Sequence, residues 1–600
     1  MSAHVGETNK ISEKEYILRA GAFEQEGSSV DEYAVLIEGL RTYYDSYELY
    51  FMLGLYYRYR NPDQAYLCFE NALHYCQEPE DEKTILAAIE GIRDRARVRN
   101  TSIVVVSYND LELMRECIHA IRRTLPEASY EVIVVDNSST DEEVLSFLRQ
   151  QADDYDDFIL IENEDNSGFS VGCNLGLSEA NPENDVFFLN NDAILMPNSL
   201  FWLRMGLYSD SRNGAAGAVS NSASCQEVSI ESIEPYIRAA HMDNTRPITG
   251  IRIEDSILGK AMNSGSNPDF ASSSEIGEDT DNSEEKRDHR WWRTISLDSA
   301  LEASKNYAKD HNVPMWNPYE VRCRLTGFAV LLKRKAVDNL LRSGDISGKN
   351  VDNLHDSKNN GGLLAEEFSY KLFDERFSPA YFEDDDLGIR LGLLGYRQIL
   401  CHNSFIFHNG GAGFTDKSDE IEDARGKFKE KWGFDIWNYS LPEDEKITAL
   451  LDAIKEIEIN KSASANSESD ETREDSAGNV GPQKVQGISS VEMTEADIKP
   501  YNKYYRILDL SAGLGATMSA IKYMIPSSFV AGVTSVDVFA GLSKYMGDDI
   551  ISGDPELVTF PWPEHSFDII LAGEVIAGAD DPERLVRKLN LYLTEIGRVI

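Results

Sequence analysis

Three polar residues follow an apolar run in the stretch "DVFFLNNDAILMP" at residues 185–197. The run "VFFL" is typical of a strand that is buried on both faces of a parallel sheet. Asn190, Asn191 and Asp192 would then lie at the carboxyl end of that strand, where open α/β sheets bind their ligands. Asn and Asp are also ordinary turn residues that hydrogen-bond their own backbone, so this stretch alone favours a plain turn.

The charge of the chain decides what Asp192 could do at such a position. With 103 acidic and 58 basic residues, the formal net charge is -45. A bound diphosphate would need a local Arg or Lys, or a metal ion, to offset its own charge. Mg²⁺ or Mn²⁺ takes carboxylate and phosphate oxygens together, which makes Asp192 a candidate metal ligand. His408 in "FHNGGAGF" is a possible second ligand, and the glycines after it would let the backbone approach a phosphate.

A run of four acids, Glu383 to Asp386, is the second candidate for chemistry. Its carboxylates repel one another, so a solvated loop or the first turn of a helix is the simpler interpretation. The run directly follows the aromatic stretch "AYF", which indicates a partly enclosed setting. A carboxylate there could act as a general base toward an alcohol, because neighbours of like charge raise its proton affinity.

Polar residues recur at the ends of three strand-like runs in the same part of the chain. The ends read "SYN" from Ser107, "DNSS" from Asp136 and "NND" from Asn190. A turn needs one polar residue, whereas a shared ligand crevice needs polar groups at several strand ends. The three endings together therefore favour a ligand crevice over three unrelated turns.

The elements that would position these residues alternate from Thr101 onward. Short β-branched runs are followed by segments with apolar residues at helical spacing, which predicts an α/β fold with a parallel sheet covered by helices. Regular structure is hard to assign between residues 221 and 320 and near residues 342–368. The stretch "NSGSNPDFASSSEIGEDTDNSEEKRDH" and the second of these regions are expected to be loops.

Residues 1–98 are predicted to be helical, because apolar residues recur there at helical spacing without a strand-like run. The stretch "YELYFMLGLYYRYRNPDQAYLCFENALHYCQ" resembles one tetratricopeptide repeat, with its small and aromatic positions at Leu53, Gly54, Tyr57, Ala65, Phe69 and Ala72. A single repeat cannot bury a solenoid core. The helices are therefore expected to pack against a neighbouring unit or to bind a protein partner, and packing is the simpler role.

Seven motifs follow one another along the chain: "VVVSYN", "VIVVDNSS", "NSGFSVGCNLG", "FLNNDAIL", "LTGFAVLLKR", "FDERFSPAYFEDDDLGIR" and "FHNGG". In their order and spacing they resemble the family 2 inverting glycosyltransferases and in particular their rhamnosyltransferase-like branch. The resemblance implies a GT-A nucleotide-sugar-binding domain over residues 99–445. It also implies a nucleoside-diphosphate sugar as donor, an acceptor hydroxyl and a divalent metal, Mg²⁺ or Mn²⁺.

The same resemblance assigns roles to individual residues of this sequence. Those implied to meet the nucleotide are Ser107, Tyr108, Asn109, Asp136, Asn137, Asn166, Gly168 and Asn174. Asn190 and Asn191 would lie beside the donor diphosphate, and Asp192 would bind the metal with His408. Asp384 would be the general base, with Glu383 as the alternative.

The end of the chain resembles a different family. Residues 446–500 are rich in Ser and acids and are expected to form a linker. Residues 501–600 resemble an incomplete class I S-adenosylmethionine-dependent methyltransferase, a Rossmann-like domain, in which Asp509, Gly513 and Gly515 would cradle the cofactor.

Several departures from that pattern make S-adenosylmethionine binding doubtful. Ser511 replaces the first glycine of the turn, and Thr534 with Ser535 stands where relatives place the acid that binds the ribose hydroxyls. The sequence also ends at Ile600, before the last strands of such a fold. The unit is therefore expected to be either truncated or a degenerate domain used for packing.

Composition excludes some classes of partner and location. The acidic balance argues against nucleic acid or an anionic membrane surface as a partner. The seven cysteines are scattered without a CxxC pair, which is typical of thiols in a reducing compartment. No apolar run of about 18 residues and no signal sequence are found, so a cytoplasmic protein without a transmembrane segment is expected.

Three functions remain open from the sequence. The main hypothesis is a metal-dependent inverting glycosyltransferase that acts in surface polysaccharide or glycoconjugate synthesis. A non-catalytic interaction protein is the alternative of a different class, and the presence of "NND", the "ED" pair and His408 favours the enzyme over it. A bifunctional glycosyl- and methyltransferase is the third, and Thr534 weakens it.

Overall fold

The computed structural model describes most of the chain. The described residues are 11–126, 129–242, 291–343, 371–410, 418–470 and 504–600. The expected loop at residues 263–289 lies outside these ranges, as do residues 344–368 of the second expected loop, Gly411, Gly413 and residues 471–500 of the expected linker.

The N-terminal region is helical, as predicted. Its helices are α1 (Glu13–Glu26), α2 (Ser29–Thr42), α3 (Tyr47–Tyr57), α4 (Pro62–Tyr75) and α5 (Pro79–Glu90). Side-chain caps fix where they begin: Ser46 accepts an N–H of α3 and Asn61 accepts two of α4. Gly54 lets α3 and α4 pack closely, since a Cβ at that position would lie only 2.4 Å from the ring of Phe69. The assignment to the tetratricopeptide family stays a prediction.

The central unit is a mixed α/β structure, and the predicted alternation of strands and helices is confirmed. Its strands are β1 (Thr101–Ser107), β2 (Tyr130–Asp136), β3 (Phe158–Glu162), β4 (Asp185–Asn190), β5 (Ala193–Ile194), β6 (Asn213–Val219), β7 (Tyr319–Arg322), β8 (Ala329–Leu332), β9 (Arg397–Phe405) and β10 (Phe407–His408). Its helices are α6 (Leu111–Thr124), α7 (Glu142–Asp154), α8 (Phe169–Glu179), α9 (Ser199–Leu207), α10 (Ile230–Met242), α11 (Leu297–His311), α12 (Arg334–Ser343), α13 (Glu383–Leu393) and α14 (Ser418–Trp432).

The strands form an eight-stranded sheet in the order β3-β2-β1-β4-β8-β6-β9-β7. Strands β1 to β4 are parallel, while β8 runs antiparallel to β4 and β6. The register pairs Ser107 with Asp136 and Val106 with Asn190. The three polar strand ends seen in the sequence therefore lie along one edge of the sheet.

Helices α10 and α11 and strand β7 lie in the region where the sequence gave no clear assignment. Their apolar residues are interrupted by polar ones, so no single periodicity stands out before the tertiary contacts are known. The residues between α10 and the short turn Trp291–Arg293 lie outside the described ranges.

The N-terminal helices pack against the central unit, which is the simpler of the two roles expected for them. Asn71 and Tyr75 of α4 donate to the amide oxygen of Asn198, at 3.3 and 3.0 Å. Arg204 of α9 forms a buried ion pair with Glu70. Through these contacts α4 packs against α9 and against Asn198, which directly precedes it.

The C-terminal unit is a second, smaller parallel sheet. Its strands are β11 (Arg506–Asp509), β12 (Phe529–Thr534), β13 (Asp549–Ser552), β14 (Phe567–Leu571) and β15 (Leu593–Val599), and their order is β13-β12-β11-β14-β15. The accompanying helices are α15 (Asp444–Asp470), α16 (Ala516–Met524), α17 (Asp537–Leu542) and α18 (Pro582–Tyr592). The assignment of this unit to the methyltransferases stays a prediction.

Helix α15 differs from the sequence-based expectation, which placed a linker over residues 446–500. The first half of that range is helical. Four apolar residues at helical spacing, Leu450, Ala453, Ile454 and Ile457, are buried against the second sheet. One apolar face is enough to hold a helix whose other faces are acidic, and the average composition of the segment conceals that face.

No disulfide joins any of the seven cysteines, all of which lie in described residues. None of the helices in the described part of the chain combines the length and the apolar content needed to cross a bilayer.

Candidate functional site

A short two-stranded ribbon brings Asp192 and His408 together at the tip of β4. Strand β5 follows Asp192 directly, and β10 pairs with it so that His408 lies opposite Ala193. The Nε2 atom of His408 lies 3.3 Å from Oδ1 of Asp192 and 3.4 Å from the amide nitrogen of Asn190. The two residues implied as metal ligands are thus neighbours in space, although they are far apart in the sequence.

The Asp192 carboxylate is buried yet favours its charged form. Burial raises its pKa, but the charge and hydrogen bond of His408 and the backbone N–H of Gly410 outweigh burial, and the net pKa lies below its usual value. An ionised carboxylate and a neutral imidazole are suitable donors for a divalent cation, which would take the place of the proton on His408.

The spacing of this pair fits a single metal ion. Two ligands in adjacent positions of an octahedral ion with bonds of about 2.1 Å lie about 3 Å apart. The 3.3 Å between Asp192 and His408 is close to that separation. Among the described residues no group of three or more His, Cys, Asp or Glu side chains is arranged around a metal site. The pair could therefore supply two ligands, and phosphate oxygens and water would supply the others.

The loop Thr326–Gly327–Phe328 connects this pair to the acid run. The carbonyl of Phe328 accepts the N–H of Asn190 at 2.8 Å. Its ring stacks on His408 with 4.9 Å between centroids. One residue earlier, the N–H of Gly327 donates to Oδ2 of Asp384 at 2.8 Å. The sequence showed "LTGFAVLLKR" as a motif without a role, and its role is to join the two parts of the site.

The four acids of the run have different surroundings, because helix α13 begins at Glu383. Asp385 is buried against Arg324, whose Nη2 donates to its carboxylate at 3.1 Å, and burial raises the pKa of Asp385 to about 7 despite that partner. Asp386 contacts Arg390 at 2.8 Å and Lys431 at 2.5 Å. Asp384 is partly exposed, and its carboxylate accepts the backbone N–H groups of Gly327 and Asp385.

Glu383 is buried and one of its oxygens, Oε2, has no hydrogen-bond partner among the described residues. Burial raises the pKa of this carboxyl well above its usual range, and the charges of the neighbouring aspartates add to the effect. The shift favours the protonated form of Glu383, and a protonated carboxyl cannot accept the proton of an acceptor alcohol.

The loops after β1 and β2 are tied to each other. Both oxygens of the Asp136 carboxylate accept from Ser139, at 2.9 Å from its N–H and 2.6 Å from its hydroxyl. The N–H of Asn109 donates to the same hydroxyl, and its side-chain oxygen accepts the N–H of Thr140 at 2.9 Å. The ring of Tyr108 is 41% exposed beside them, so a ligand can reach it. The hydroxyl of Ser107 is buried without a partner among the described residues.

A second set of polar residues shapes the loop before α8. The amide of Asn137 donates to the carbonyl of Gly168 at 3.0 Å, and Asn166 accepts the N–H of Gly168 at 3.1 Å. Gly168 has a φ of +85°, and a Cβ there would lie 2.7 Å from the backbone of Pro379. This position requires glycine, and it joins the loop to the segment that precedes the acid run.

Asn174 and the asparagines of β4 differ in what they contact. Asn174 exchanges two hydrogen bonds with the backbone of Phe373, at 2.9 and 3.0 Å, which indicates a structural role. Asn190 and Asn191 are half-buried at the strand tip beside Asp192. The nucleotide-binding role implied for Asn174 stays a prediction.

The glycine-rich turn of the second sheet is occupied by the chain itself. The ammonium of Lys446, from α15, lies 2.9 Å from Oδ1 of Asp509 and 2.6 Å from the hydroxyl of Ser511. A Cβ on Gly513 would lie 3.1 Å from the ring of Tyr439, and one on Gly515 only 2.5 Å from Met546. Both glycines have positive φ and are covered by protein side chains.

Two further groups near the tip of β4 were not singled out from the sequence. Asp110 has its pKa raised by burial and by the charge of Asp192, which places the two carboxylates near each other. The indole N–H of Trp292 donates to the carbonyl of Asn409 at 2.9 Å, next to His408. "VSYND" contained Asp110, but only the αL backbone at Asn109 and Asp110 shows which way that residue turns.

Comparison with known proteins agrees with this geometry for part of the chain. Residues 102–238 match the family described as glycosyl transferase family 2. A poly(ribitol-phosphate) beta-glucosyltransferase of Bacillus spizizenii is 40% identical over 68 residues, 11% of this chain and 11% of that protein. The glycosyltransferase AglE of Haloferax volcanii is 32% identical over 114 residues, 19% of this chain and 36% of that protein. The matched segments thus span well under half the length of these curated relatives.

Two solved structures are also similar to the chain. The mannosyltransferase PcManGT of Pyrobaculum calidifontis, in complex with GDP-Man and Mn²⁺, gives a TM-score of 0.28 at 15% identity and covers 53% of this chain and 58% of that one. TarS of S. aureus, residues 1–349, gives a TM-score of 0.27 at 12% identity and covers 52% and 60%. The family match is the finding that identifies part of the molecule: the chain contains a glycosyl transferase family 2 domain over residues 102–238.

Proposed function

We propose that this protein is a metal-dependent inverting glycosyltransferase with a GT-A nucleotide-sugar-binding domain. It would move a sugar from a nucleoside-diphosphate sugar to an acceptor hydroxyl, in surface polysaccharide or glycoconjugate synthesis. One observation supports this most strongly: two consecutive residues connect the parts of the site, because Gly327 donates to the Asp384 carboxylate and Phe328 stacks on the His408 that faces Asp192.

Asp192 and His408 would hold Mg²⁺ or Mn²⁺ at the tip of β4. When bound, the cation supplies the positive charge that stabilises the departing nucleoside diphosphate. A chain with a net charge of -45 needs such a charge at a diphosphate site. Asn190 and Asn191 would lie beside the diphosphate, and Tyr108 offers the exposed ring nearest to the ends of β1 and β2 for the nucleotide.

Asp384 is the acid of the run that is suited to act as general base. Glu383, Asp385 and Asp386 are buried, and the two aspartates lie against Arg324 and against Arg390 with Lys431. Burial also raises the pKa of Glu383 well above its usual range, which favours its protonated form. Asp384 is instead held by two backbone N–H groups and is partly exposed. Its remaining lone pairs can take the proton of an acceptor hydroxyl.

The reaction would be one displacement at the anomeric carbon of the sugar. As Asp384 removes the proton, the acceptor oxygen forms its bond to that carbon from the face opposite the diphosphate. The bond between the carbon and the diphosphate oxygen breaks, and the electron pair leaves with the nucleoside diphosphate. Attack from the opposite face inverts the configuration of the sugar.

A donor panel tests this function on the full chain. One relative is named a poly(ribitol-phosphate) beta-glucosyltransferase, so nucleoside diphosphate-glucose is the first donor to examine. We expect one donor to raise the melting temperature in the presence of Mn²⁺, because ligand binding stabilises the folded state by mass action. The same donor should release nucleoside diphosphate when an acceptor is added. Absence of stabilisation and of release with every donor would contradict the proposal.

A further inference from the structure

Helix α13 has two functional halves. Its first turn carries the acids, and Asp384 is aligned there by the N–H of Gly327. Its second half faces the C-terminal unit. A Cβ on Gly392 would lie 3.0 Å from a methyl of Leu542, and Ile389 is buried in a cluster that includes residues of both units.

The C-terminal unit contacts α13 through one particular edge. The residues that reach the cluster are Leu514, Phe539, Leu542 and Met546, which come from the segments after β11 and β12. This is the carboxyl edge of the second sheet, where parallel sheets bind ligands. Here that edge is covered by the central unit, and Lys446 fills the adjoining turn. A narrow cavity lined by Gly392, Leu542 and Tyr545, among others, has room for about one water molecule.

Polar and aromatic contacts outside α13 also hold the same two units together. The amide of Asn317 donates to the carbonyl of Tyr523 at 2.8 Å. The ring of Tyr523 stacks on His402, with 4.3 Å between centroids. Arg397, at the start of β9, lies over the ring of Tyr545 at 5.4 Å. The second sheet is thus attached both to α13 and to the edge strands behind it.

We propose that residues 504–600 serve as a support for α13, and that Leu542 is a positioning residue for the general base Asp384. The inference rests on the proposed function for the role of Asp384, but the support itself does not. Leu542 does not contact substrate. It fixes the helix whose first turn carries Asp384, so that the bond from Gly327 to Asp384 keeps its length and direction.

A small movement of α13 would have a large kinetic effect. A displacement of a catalytic group by about 1 Å can lower a rate by about 10²-fold, because the reacting atoms lose their alignment. Donor binding depends on the tips of β1, β2 and β4, which the C-terminal unit does not touch in the contacts described above. Loss of the support should therefore lower kcat and leave the KM for the donor nearly unchanged.

The test uses two matched pairs of variants in the full chain. Leu542→Ala removes the contact with α13, and Leu585→Ala removes an equally apolar side chain buried on the far side of the second sheet. Gly392→Ala crowds Leu542 from the helix side, while Gly426→Ala adds the same methyl to α14 where nothing lies within 4 Å. Leu542→Met, which nearly conserves volume, should behave like the wild type.

Two readouts separate the support from the proposed function. Hydrogen exchange of residues 383–393 is expected to quicken in Leu542→Ala and Gly392→Ala and to stay unchanged in both controls. With an active donor, kcat should fall about 10- to 100-fold in Leu542→Ala at constant donor KM. Unchanged exchange and kcat in Leu542→Ala, or equal losses in Leu585→Ala, would overturn the inference. If the wild type transfers no sugar, the proposed function is contradicted. The hydrogen-exchange data still test whether residues 504–600 support α13.

Discussion

Each of the two sheets of this chain has an acid at or just after the carboxyl end of a parallel strand, and the two acids have different surroundings. Asp192 follows the strand β4 and faces His408 at 3.3 Å. Asp509 ends the strand β11 and faces the ammonium of Lys446 at 2.9 Å. Both acids are buried. Asp192 therefore faces a residue that can bind a metal cation together with it, whereas Asp509 faces the positively charged side chain of Lys446.

This difference teaches that the carboxyl edge of a parallel sheet is a ligand site only when the chain leaves it open. Burial lowers the pKa of Lys446, but the charge of Asp509 and the hydrogen bonds to Glu443 and Asp509 outweigh it, and the net pKa is raised. Lys446 is thus charged at neutral pH and neutralises Asp509. The second edge is used for packing, whereas the first carries the proposed chemistry.

Removing the internal cation should have the largest effect on stability. Lys446→Met leaves the buried Asp509 without its partner, and breaking a buried pair costs about 3–5 kcal/mol in free energy of unfolding. Urea unfolding of the full chain, followed by hydrogen exchange in residues 504–600, measures it. Lys455→Met on the exposed face of the same helix is the control. The double variant Lys446→Met/Asp509→Asn should recover most of the loss, and an equally unstable double variant would argue against the pair as its cause.

The corresponding change in the central unit should affect turnover instead. Asp384→Asn keeps the shape of the side chain but cannot take a proton, so turnover should fall by about 10²-fold or more with little change in donor affinity. Steady-state kinetics with saturating donor measure this. Glu383→Gln is the matched control, because it makes the same carboxylate-to-amide change on the neighbouring residue, which is buried and whose pKa is raised. If Glu383→Gln is the inactive variant instead, the choice of Asp384 over Glu383 as general base is wrong.

The junction between the two units should respond to acid. Glu320 accepts from His402 at 2.9 Å and from Arg322 at 2.8 Å, and His402 stacks on Tyr523 of the C-terminal unit. Burial raises the pKa of Glu320, but these two partners outweigh burial and the net pKa is lowered.

A carboxyl with a lowered folded pKa contributes stability above its unfolded pKa of about 4.3, and this contribution disappears as the pH falls through the folded pKa. Melting temperatures between pH 6 and pH 3 should therefore fall more steeply in the wild type than in Glu320→Gln. At pH 6 the free energy of unfolding of the wild type should exceed that of Glu320→Gln by about 1–3 kcal/mol, which is typical of hydrogen bonds to a charged group. Parallel curves would show that Glu320 does not contribute in this way.

The smallest expected effect is that of S-adenosylmethionine on the second sheet. Lys446 already contacts Asp509 and Ser511, and Thr534 stands where an acid would bind two ribose hydroxyls. A dissociation constant tighter than about 100 μM needs more than about 5 kcal/mol from this site, and we expect weaker binding. Equilibrium dialysis of the full chain with labelled cofactor measures it. Low-micromolar binding would instead favour a bifunctional enzyme and remove the contrast between the two edges.

Local patterns in the sequence were enough to predict the strand tips of the central sheet. Apolar runs that end in "SYN", "DNSS" and "NND" are contiguous, so their periodicity survives without knowledge of the fold. The meeting of Asp192 with His408 depends on the pairing of β5 with β10, strands too short to leave a pattern. Only the family resemblance placed those two residues together.

The covered carboxyl edge of the second sheet could not be predicted either, because it depends on contacts between distant parts of the chain. The position of Lys446 depends on α15, which composition had assigned to a linker, and on the packing of that helix against the second sheet. The different surroundings of Glu383 and Asp384 likewise depend on Gly327 and Arg324, which are distant in the sequence. These contacts could not be predicted because the residues that form them are far apart in the sequence.

The most direct measurement is calorimetric titration of the full chain with a nucleoside diphosphate, with and without Mn²⁺. For the wild type we expect binding that requires Mn²⁺. Asp192→Ala should lose the Mn²⁺-dependent part and remain folded, because backbone hydrogen bonds pair β5 with β10. Asp156→Ala, an exposed acid of the same unit, should bind like the wild type. Equal, Mn²⁺-dependent affinity in the wild type and in Asp192→Ala would contradict the assignment of the metal to the tip of β4.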